Sequence, residues 1–257
     1  DIEGVGPDYI KVEYNPNRMD FSSPVGIARA LKGLLGLEVG LPTYEVREGP
    51  VEILVGPGVA RVRPYIVGAV VRGLEVDETL LEELIEMQED LHWGIGRGRR
   101  KMAIGLHDLG PVEPPVRYEA FGPEEKSFVP LDAGEEMTLG EVLTRHEKGK
   151  AYGHLVVHSD VYPVVMDARG RVMSFPPIIN SELTRVGPWT KDLFIDITGT
   201  DLKAVRAALR ILTTALADMG GRVEAVRVRY PDGTVLTTPD LRPREAVLRV
   251  DYANGLV

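Results

Sequence analysis

Ser174 to Asp201 reads SFPPIINSELTRVGPWTKDLFIDITGTD. Near its end, Phe194, Ile195 and Ile197 form the apolar core of a short strand. Asp196 and Thr198, two residues apart, share one face of that strand by its period of two. Gly199 permits a close backbone approach, and Thr200 or Asp201 can cap the helix that follows. Earlier in the stretch, Pro176 and Pro177 lack N–H donors and are expected to hold the chain extended. Ile178 and Ile179 are apolar anchors, while Asn180 and Ser181 bring turn-forming side chains. A carboxylate, a hydroxyl and a helix N-terminus are therefore expected to converge at one strand end, a constellation suited to a polar ligand. Residue types alone leave an ordinary reading open beside this one: an Asp before a helix is often a cap, and two prolines an edge connection.

Outward from this stretch, Asp201 to Met219 has the clearest helical period, with Leu202, Val205, Leu209, Leu212 and Leu216 on one stripe and Gly220-Gly221 as its stop. Arg222 to Tyr230 alternates as a strand and turns at Pro231-Asp-Gly233 into a partner at Thr234 to Thr238. On the other side, Pro163 to Met166 and Arg171 to Phe175 read as a hairpin around Asp167-Ala-Arg-Gly170. Thr138 and Glu141 have capping-box spacing before a helix expected to end near Lys148. Asp77 caps a helix to about Trp93, its apolar side carrying Leu80, Leu81, Leu84, Ile85, Gln88 and Leu91. Val51 to Val55 and Tyr65 to Leu74 read as strands. Ser23-Pro24 opens a first helix whose Ile27, Ala30, Leu31, Leu34 and Leu35 are expected to face a core. Strands and helices alternate, but hairpins are frequent. The fold class expected is α+β, with mixed or antiparallel sheets and packed helices rather than a doubly wound parallel sheet.

The 257 residues, 44% hydrophobic and 27% charged, suit a folded globular chain. No apolar run approaches the ~20 residues a membrane helix needs, and the start lacks a secretion signal. The first residue is Asp rather than Met, so a fragment is expected. With no cysteine, disulfides, thiolate metal sites and a cysteine nucleophile are excluded, and a cytoplasmic location is expected. The net charge of −9 argues against a broad phosphate-gripping surface; any contact with RNA should be local. The densest basic cluster is Arg97, Arg99, Arg100 and Lys101. It reads either as a phosphate or RNA-end contact, with flanking glycines exposing backbone N–H groups, or as a solvated loop paired with the acidic helix before it. Gly94-Ile-Gly-Arg-Gly98 matches neither a dinucleotide fingerprint nor a P-loop. His154 and His158 stand four apart but lack the Glu of a zinc-protease helix, so no metal site is expected. His107 reads as a structural histidine in a turn. No Gly-x-Ser-x-Gly elbow is present.

The Pro-Pro-Ile-Ile-Asn run at 176–180 and the Asp-x-Thr-Gly-Thr-Asp run at 196–201 resemble the B3/B4 editing domain of the phenylalanyl-tRNA synthetase β subunit of archaeal and eukaryotic type. Three further segments resemble the same subunit in the same order: NPNRMDFSSPVGIARALKGLLG (15–36), MQEDLHWGIGRGRRKMAIGLHDL (87–109) and TTPDLRPREAVLRVDYANGLV (237–257), the last like the start of a B5 domain. The resemblance implies a small B1-like N-terminal module and connector at 1–63, the editing domain at 64–238, and a truncated B5-like start at 239–257. It implies hydrolysis of tyrosine wrongly esterified to tRNA(Phe). Asp196, Thr198 and Gly199 are expected as catalytic residues, with Gly199 N–H toward the oxyanion. Ser174, Pro176, Asn180 and Ser181 are expected to bind substrate, and Arg97, Arg99, Arg100 and Lys101 to bind tRNA. The implied partners are the tRNA(Phe) 3′ end and the α subunit, in an α2β2 heterotetramer. No cofactor is expected in this stretch; ATP and Mg would belong to the full synthetase. A non-catalytic RNA-docking or scaffold module stays open as an alternative, and a free-standing deacylase as a third.

Overall fold

The computed structural model of the protein describes residues 1–243 and 245–256. Its centre is a ten-stranded mixed sheet. The strands are β3 (Val46–Val55), β4 (Tyr65–Arg72), β5 (Met102–Asp108), β6 (Val116–Phe121), β9 (Tyr162–Met166), β10 (Val172–Phe175), β11 (Ile179–Asn180), β12 (Asp192–Gly199), β13 (Arg222–Arg229) and β14 (Val235–Thr238). Two small hairpins lie outside it: β1 (Ile2–Val5) with β2 (Ile10–Val12), and β7 (Ser127–Phe128) with β8 (Met137–Thr138). The order is β11-β10-β9-β6-β3-β13-β4-β12-β5, with β14 on β13. Only β3 runs parallel to its neighbours, β6 and β13. The α+β class read from the sequence is the class observed.

The sheet curls until its first and last strands meet, where Asn180 on β11 donates to the Leu106 carbonyl on β5 at 3.0 Å. Strand alternation sorts β12 into two faces. Leu193, Ile195 and Ile197 pack against α5 (Leu202–Asp218) and α2 (Glu78–Trp93). Phe194 faces the opposite way, into a second core with Tyr118, Val165 and Met173. A third core gathers Phe128, Val142, Phe175 and Ile178 beneath α3 (Leu139–Arg145). Among the described residues, no helix is long and apolar enough to cross a membrane.

The helix starts follow their caps. Asp77 accepts from Leu80 N–H, and Asp201, not Thr200, accepts from the N–H groups of Lys203 and Ala204. Thr138 and Glu141 form the capping box. The helix it opens ends at Arg145, and α4 (Glu147–Tyr152) restarts after His146, which is extended and accepts from Lys148 N–H.

Four expectations are corrected. Pro176 and Pro177 form a tight turn between β10 and β11, closed by Ile178 N–H to the Phe175 carbonyl at 2.8 Å, instead of an extended connection. β3 begins at Val46, five residues before the predicted strand, because its polar first half pairs with β13. A boundary at 63 therefore cuts across the large sheet. On α2 it is Met87 that is buried, while Ile85 is half exposed. The stripe on α1 (Pro24–Leu34) covers no core: Leu31, Leu34 and the following Leu35 are 49%, 82% and 69% exposed. Among the described residues after β14, the one helix is the short, largely exposed α6 (Val250–Asn254).

Candidate active site

A cavity of about 300 Å³ opens at the seam where the curled sheet closes. Its walls are α2, the edge of β5, and the β10–β11 turn. An edge strand leaves a row of backbone groups unpaired. Here side chains supply the partners. Gln88 Nε2 donates to the Ile104 carbonyl (2.8 Å), Ile104 N–H donates to His92 Nε2 (2.8 Å), and Asn180 serves Leu106. Because His92 Nε2 accepts, its proton sits on Nδ1, 3.4 Å from Glu89 Oε1. Burial pushes the His92 imidazole down to about 4, so it is neutral at physiological pH. The hydrogen bond with His92, helped by the Arg99 guanidinium, holds the Glu89 carboxyl down at about 2.

Asp196 lies in the cavity wall with 1% of its surface exposed. Its Oδ2 is 2.7 Å from His107 Nε2, and His107 Nδ1 is 2.8 Å from Thr184 Oγ1. In the tautomer whose Nε2–H donates to Asp196, Nδ1 accepts from the Thr184 hydroxyl. That leaves Oδ1 without a protein donor among the described residues. Gly105 stands directly opposite Asp196 in the ladder. A Cβ there would lie 2.5 Å from Asp196 Oδ2 and 2.6 Å from His107 Nε2, so only glycine leaves room for the pair. In the same lining, Ser174 Oγ is buried and has no partner among the described residues; the same is true of Arg99 Nε. An unpaired buried polar group is costly, and such groups in a cavity wall point to a ligand or water. The lining therefore offers the buried Asp196 carboxylate held by His107 and the unpaired Ser174 hydroxyl, with Glu89, Asp132, Arg99, Lys148 and Arg185 as its other charged side chains.

The structure brings together Asp196, Ser174, Pro176, Asn180 and Arg99 at this cavity. It places Thr198, Gly199 and Ser181 elsewhere. Thr198 Oγ1 accepts from Arg63 Nε at 2.9 Å. Gly199 is packed so tightly that a Cβ would sit 2.3 Å from the Lys101 carbonyl. Ser181 caps a 3-10 turn at Glu182–Thr184. The expected convergence with the α5 N-terminus does not form, because the cavity opens beside the middle of β12 rather than at its end. The basic cluster also divides. Arg97 and Arg99 have φ of 49° and 65°, left-handed values uncommon outside glycine. The Arg99 side chain turns inward to the carbonyls of Pro177 (3.3 Å) and Ile178 (3.1 Å) and to Glu89 (2.6 Å). Lys101 pairs with Asp201 at 3.0 Å, while Arg97 and Arg100 are exposed.

His107 was misplaced by sequence reasoning: it lies in β5, fully buried, not in a turn. Gly105 and Thr184 were missed. The available signal was spacing, since Gly105 and His107 stand two apart on a strand and share a face, as Asp196 and Thr198 do. A glycine within a strand marks a close approach.

These features define an α+β protein with a cavity of about 300 Å³ at the seam of a curled sheet. No family model matches the sequence. Whole relatives do. The phenylalanine–tRNA ligase β subunit of Methanothrix thermoacetophila is 51% identical over 250 residues, covering 97% of this chain and 46% of that protein. The β subunit of Archaeoglobus fulgidus is 51% identical over 257 residues, 100% of this chain and 46% of that protein. A crystal structure of an N-terminal fragment of the phenylalanyl-tRNA synthetase β subunit from Pyrococcus horikoshii superposes with a TM-score of 0.91 at 45% identity, covering 95% of this chain and 70% of that one. The chain belongs to the phenylalanyl-tRNA synthetase β-subunit family, of archaeal type. It spans about half the length of the curated relatives it matches.

Proposed function

We propose that this chain is the editing part of a phenylalanyl-tRNA synthetase β subunit and that its cavity hydrolyses tyrosine mischarged onto tRNA(Phe). The observation that carries this reading is the buried Asp196, clamped by His107 and lining a cavity that also holds the unpaired Ser174 hydroxyl. Tyrosine differs from phenylalanine by one hydroxyl, which an apolar synthetic pocket rejects by only about a hundredfold. A second pocket that hydrogen-bonds the phenol or the amino group selects the error, and a fixed carboxylate is the acceptor this requires. Asp196 Oδ1 is assigned that part. Ser174 Oγ positions the ester or the attacking water, and Asn180 and Pro176 shape the wall.

Thr198 acts from behind the cavity. It holds Arg63, whose Nη2 donates to the Arg99 carbonyl at 3.2 Å and so steadies the residue that walls the cavity. Arg97 and Arg100 are the members of the basic loop free to meet RNA. The proposed partners are the tRNA(Phe) 3′ end and the α subunit, in an α2β2 assembly in the cytoplasm. ATP and Mg, with the chemistry of amino-acid activation, belong to the remainder of that enzyme.

The test is deacylation by this chain of tyrosyl-tRNA(Phe) and phenylalanyl-tRNA(Phe) side by side. Hydrolysis of the tyrosyl ester well above the spontaneous rate, with the phenylalanyl ester spared, is expected. Rates for both at the spontaneous level would leave the chain as a docking module.

A further inference from the structure

A second recess, of about 290 Å³, lies beside the basic loop and is lined by Arg63, Arg100, His154, His158 and Thr200. Arg63 is 3% exposed. Its four hydrogen bonds run to the Thr198 hydroxyl and to the carbonyls of Thr198, Arg99 and Arg100, all neutral acceptors. It forms no ion pair among the described residues, and one Nη1 N–H remains unused. Burial lowers its guanidinium to about 10, which still leaves it a cation at neutral pH. A buried cation is ordinarily paired. Asp196 acts on it electrostatically from the cavity side without touching it, and the polar side chains that share the recess with it are Arg100, His154, His158 and Thr200. Arg100 is exposed and without an ion pair among the described residues. His154 uses Nδ1 on the Ala151 carbonyl (3.1 Å), leaving Nε2, and His158 makes no hydrogen bond among the described residues. The one nearby carboxylate on the loop's side, Asp201, is already taken by Lys101 and by the first turn of α5. In a chain of net charge −9, the lining of this recess holds two arginines and two histidines and no carboxylate among the described residues.

We propose that this recess binds a phosphodiester group near the 3′ end of the RNA whose aminoacyl ester enters the cavity. The proposal rests on the editing reading. The connection is covalent and short: Arg99 and Arg100 are neighbours, and one walls the cavity while the other lines the recess. The arginine fork and imidazole N–H groups are donors of the kind that phosphate oxygens accept. The contact supplies position rather than sequence information, and it explains how an acidic chain can register an RNA end through one local site.

The test uses an uncharged RNA minihelix ending in single-stranded CCA. One arm carries native linkages. The others replace one CCA linkage at a time by a neutral methylphosphonate. Affinity and its salt dependence are measured for the wild-type chain and for the double variant Arg100→Ala, His158→Ala, both exposed positions whose loss leaves the core intact. The expected results are about tenfold weaker binding by the variant and a salt slope smaller by about 0.7, the share of one single-strand phosphate. One methylphosphonate should cost the wild type a similar factor and cost the variant nothing further. Arg63→Lys, which keeps the charge and loses the fork, should weaken binding less than the double variant. Equal affinities for wild type and double variant, or the same methylphosphonate penalty in both, would overturn the proposal. So would saturation of the His158 imidazole NMR signals by inorganic phosphate that the native RNA does not displace, since the site would then serve free phosphate. Because the RNA carries no amino acid, failure here leaves the deacylation reading to stand or fall by itself, and absent deacylation leaves this contact intact.

Discussion

Ser174 keeps a buried hydroxyl without a partner among the described residues, which stability alone does not favour. Ser174→Ala removes an unsatisfied group and is expected to leave the melting temperature unchanged or raise it, by up to about 1 kcal/mol of stability. The same change should slow tyrosyl-tRNA(Phe) hydrolysis. A variant that is destabilised yet fully active would show that the hydroxyl serves packing. Gly105 makes the complementary case. Its missing Cβ is the space occupied by the Asp196–His107 pair, so Gly105→Ala should cost about 1–3 kcal/mol through overpacking and slow hydrolysis by displacing the carboxylate. Thermal unfolding and single-turnover hydrolysis on one preparation check both. Asp196 is deeper than a strand-end position, and truncation to Ala leaves the His107 N–H unpaired at a cost of about 1–3 kcal/mol. Asp196→Asn keeps an oxygen for His107 and is the variant that separates chemistry from folding.

At the scale of elements, the edge of β5 is held by α2 through a neutral histidine, which makes this contact sensitive to acid. His92 titrates near 4 in the folded chain against 6.5 ordinarily. The native state therefore binds fewer protons between those values, and the stability held above pH 6.5 falls progressively as pH drops toward 4, by at most about 3 kcal/mol at 1.36 kcal/mol per unit. His92→Gln should lower the melting temperature at pH 7 and flatten its decline between pH 6.5 and 4; parallel declines in the two proteins would contradict the assignment. The starts of α1, α2, α3 and α5 were legible because each carries a side-chain cap, Ser23, Asp77, Thr138 and Asp201, and capping is a local interaction that the sequence displays directly; the end of α3 and the restart at α4 were not. β3 was read short because its first half is polar and is fixed by distant β13. The α1 stripe has correct spacing, but periodicity cannot say whether a face meets a partner. Asp196, Ser174, Pro176 and Asn180, which line the cavity, could be grouped from the sequence because they lie in two compact runs. His107 and Thr184 were not, since what joins them to Asp196 is the packing of β5 and the turn after β11 against β12, separations of 89 and 77 residues for the two hydrogen bonds.

For the whole molecule, the curled sheet matters more than any boundary along the chain. β3, from the expected N-terminal module, and β14, at the other end of the sheet's sequence, both flank β13, so the sheet folds as one unit and a truncation after residue 63 should yield insoluble or unfolded protein. A soluble 64–257 piece with the melting temperature of the full chain would refute this. The glycine-rich stretch at 94–98 does not match a P-loop, so ATP–pyrophosphate exchange by the chain alone is expected to be undetectable; measurable exchange would contradict the division of labour proposed here. The central claim is that Asp196 reads the misplaced amino acid. The most direct measurement is single-turnover hydrolysis of tyrosyl-tRNA(Phe) by wild type and Asp196→Asn, with melting temperature taken on the same samples. A charge-assisted hydrogen bond is worth about 1.5–3 kcal/mol, so the account predicts a rate lower by about one to two orders of magnitude at an unfolding temperature close to wild type. A folded Asp196→Asn protein that hydrolyses the tyrosyl ester at the wild-type rate would contradict it.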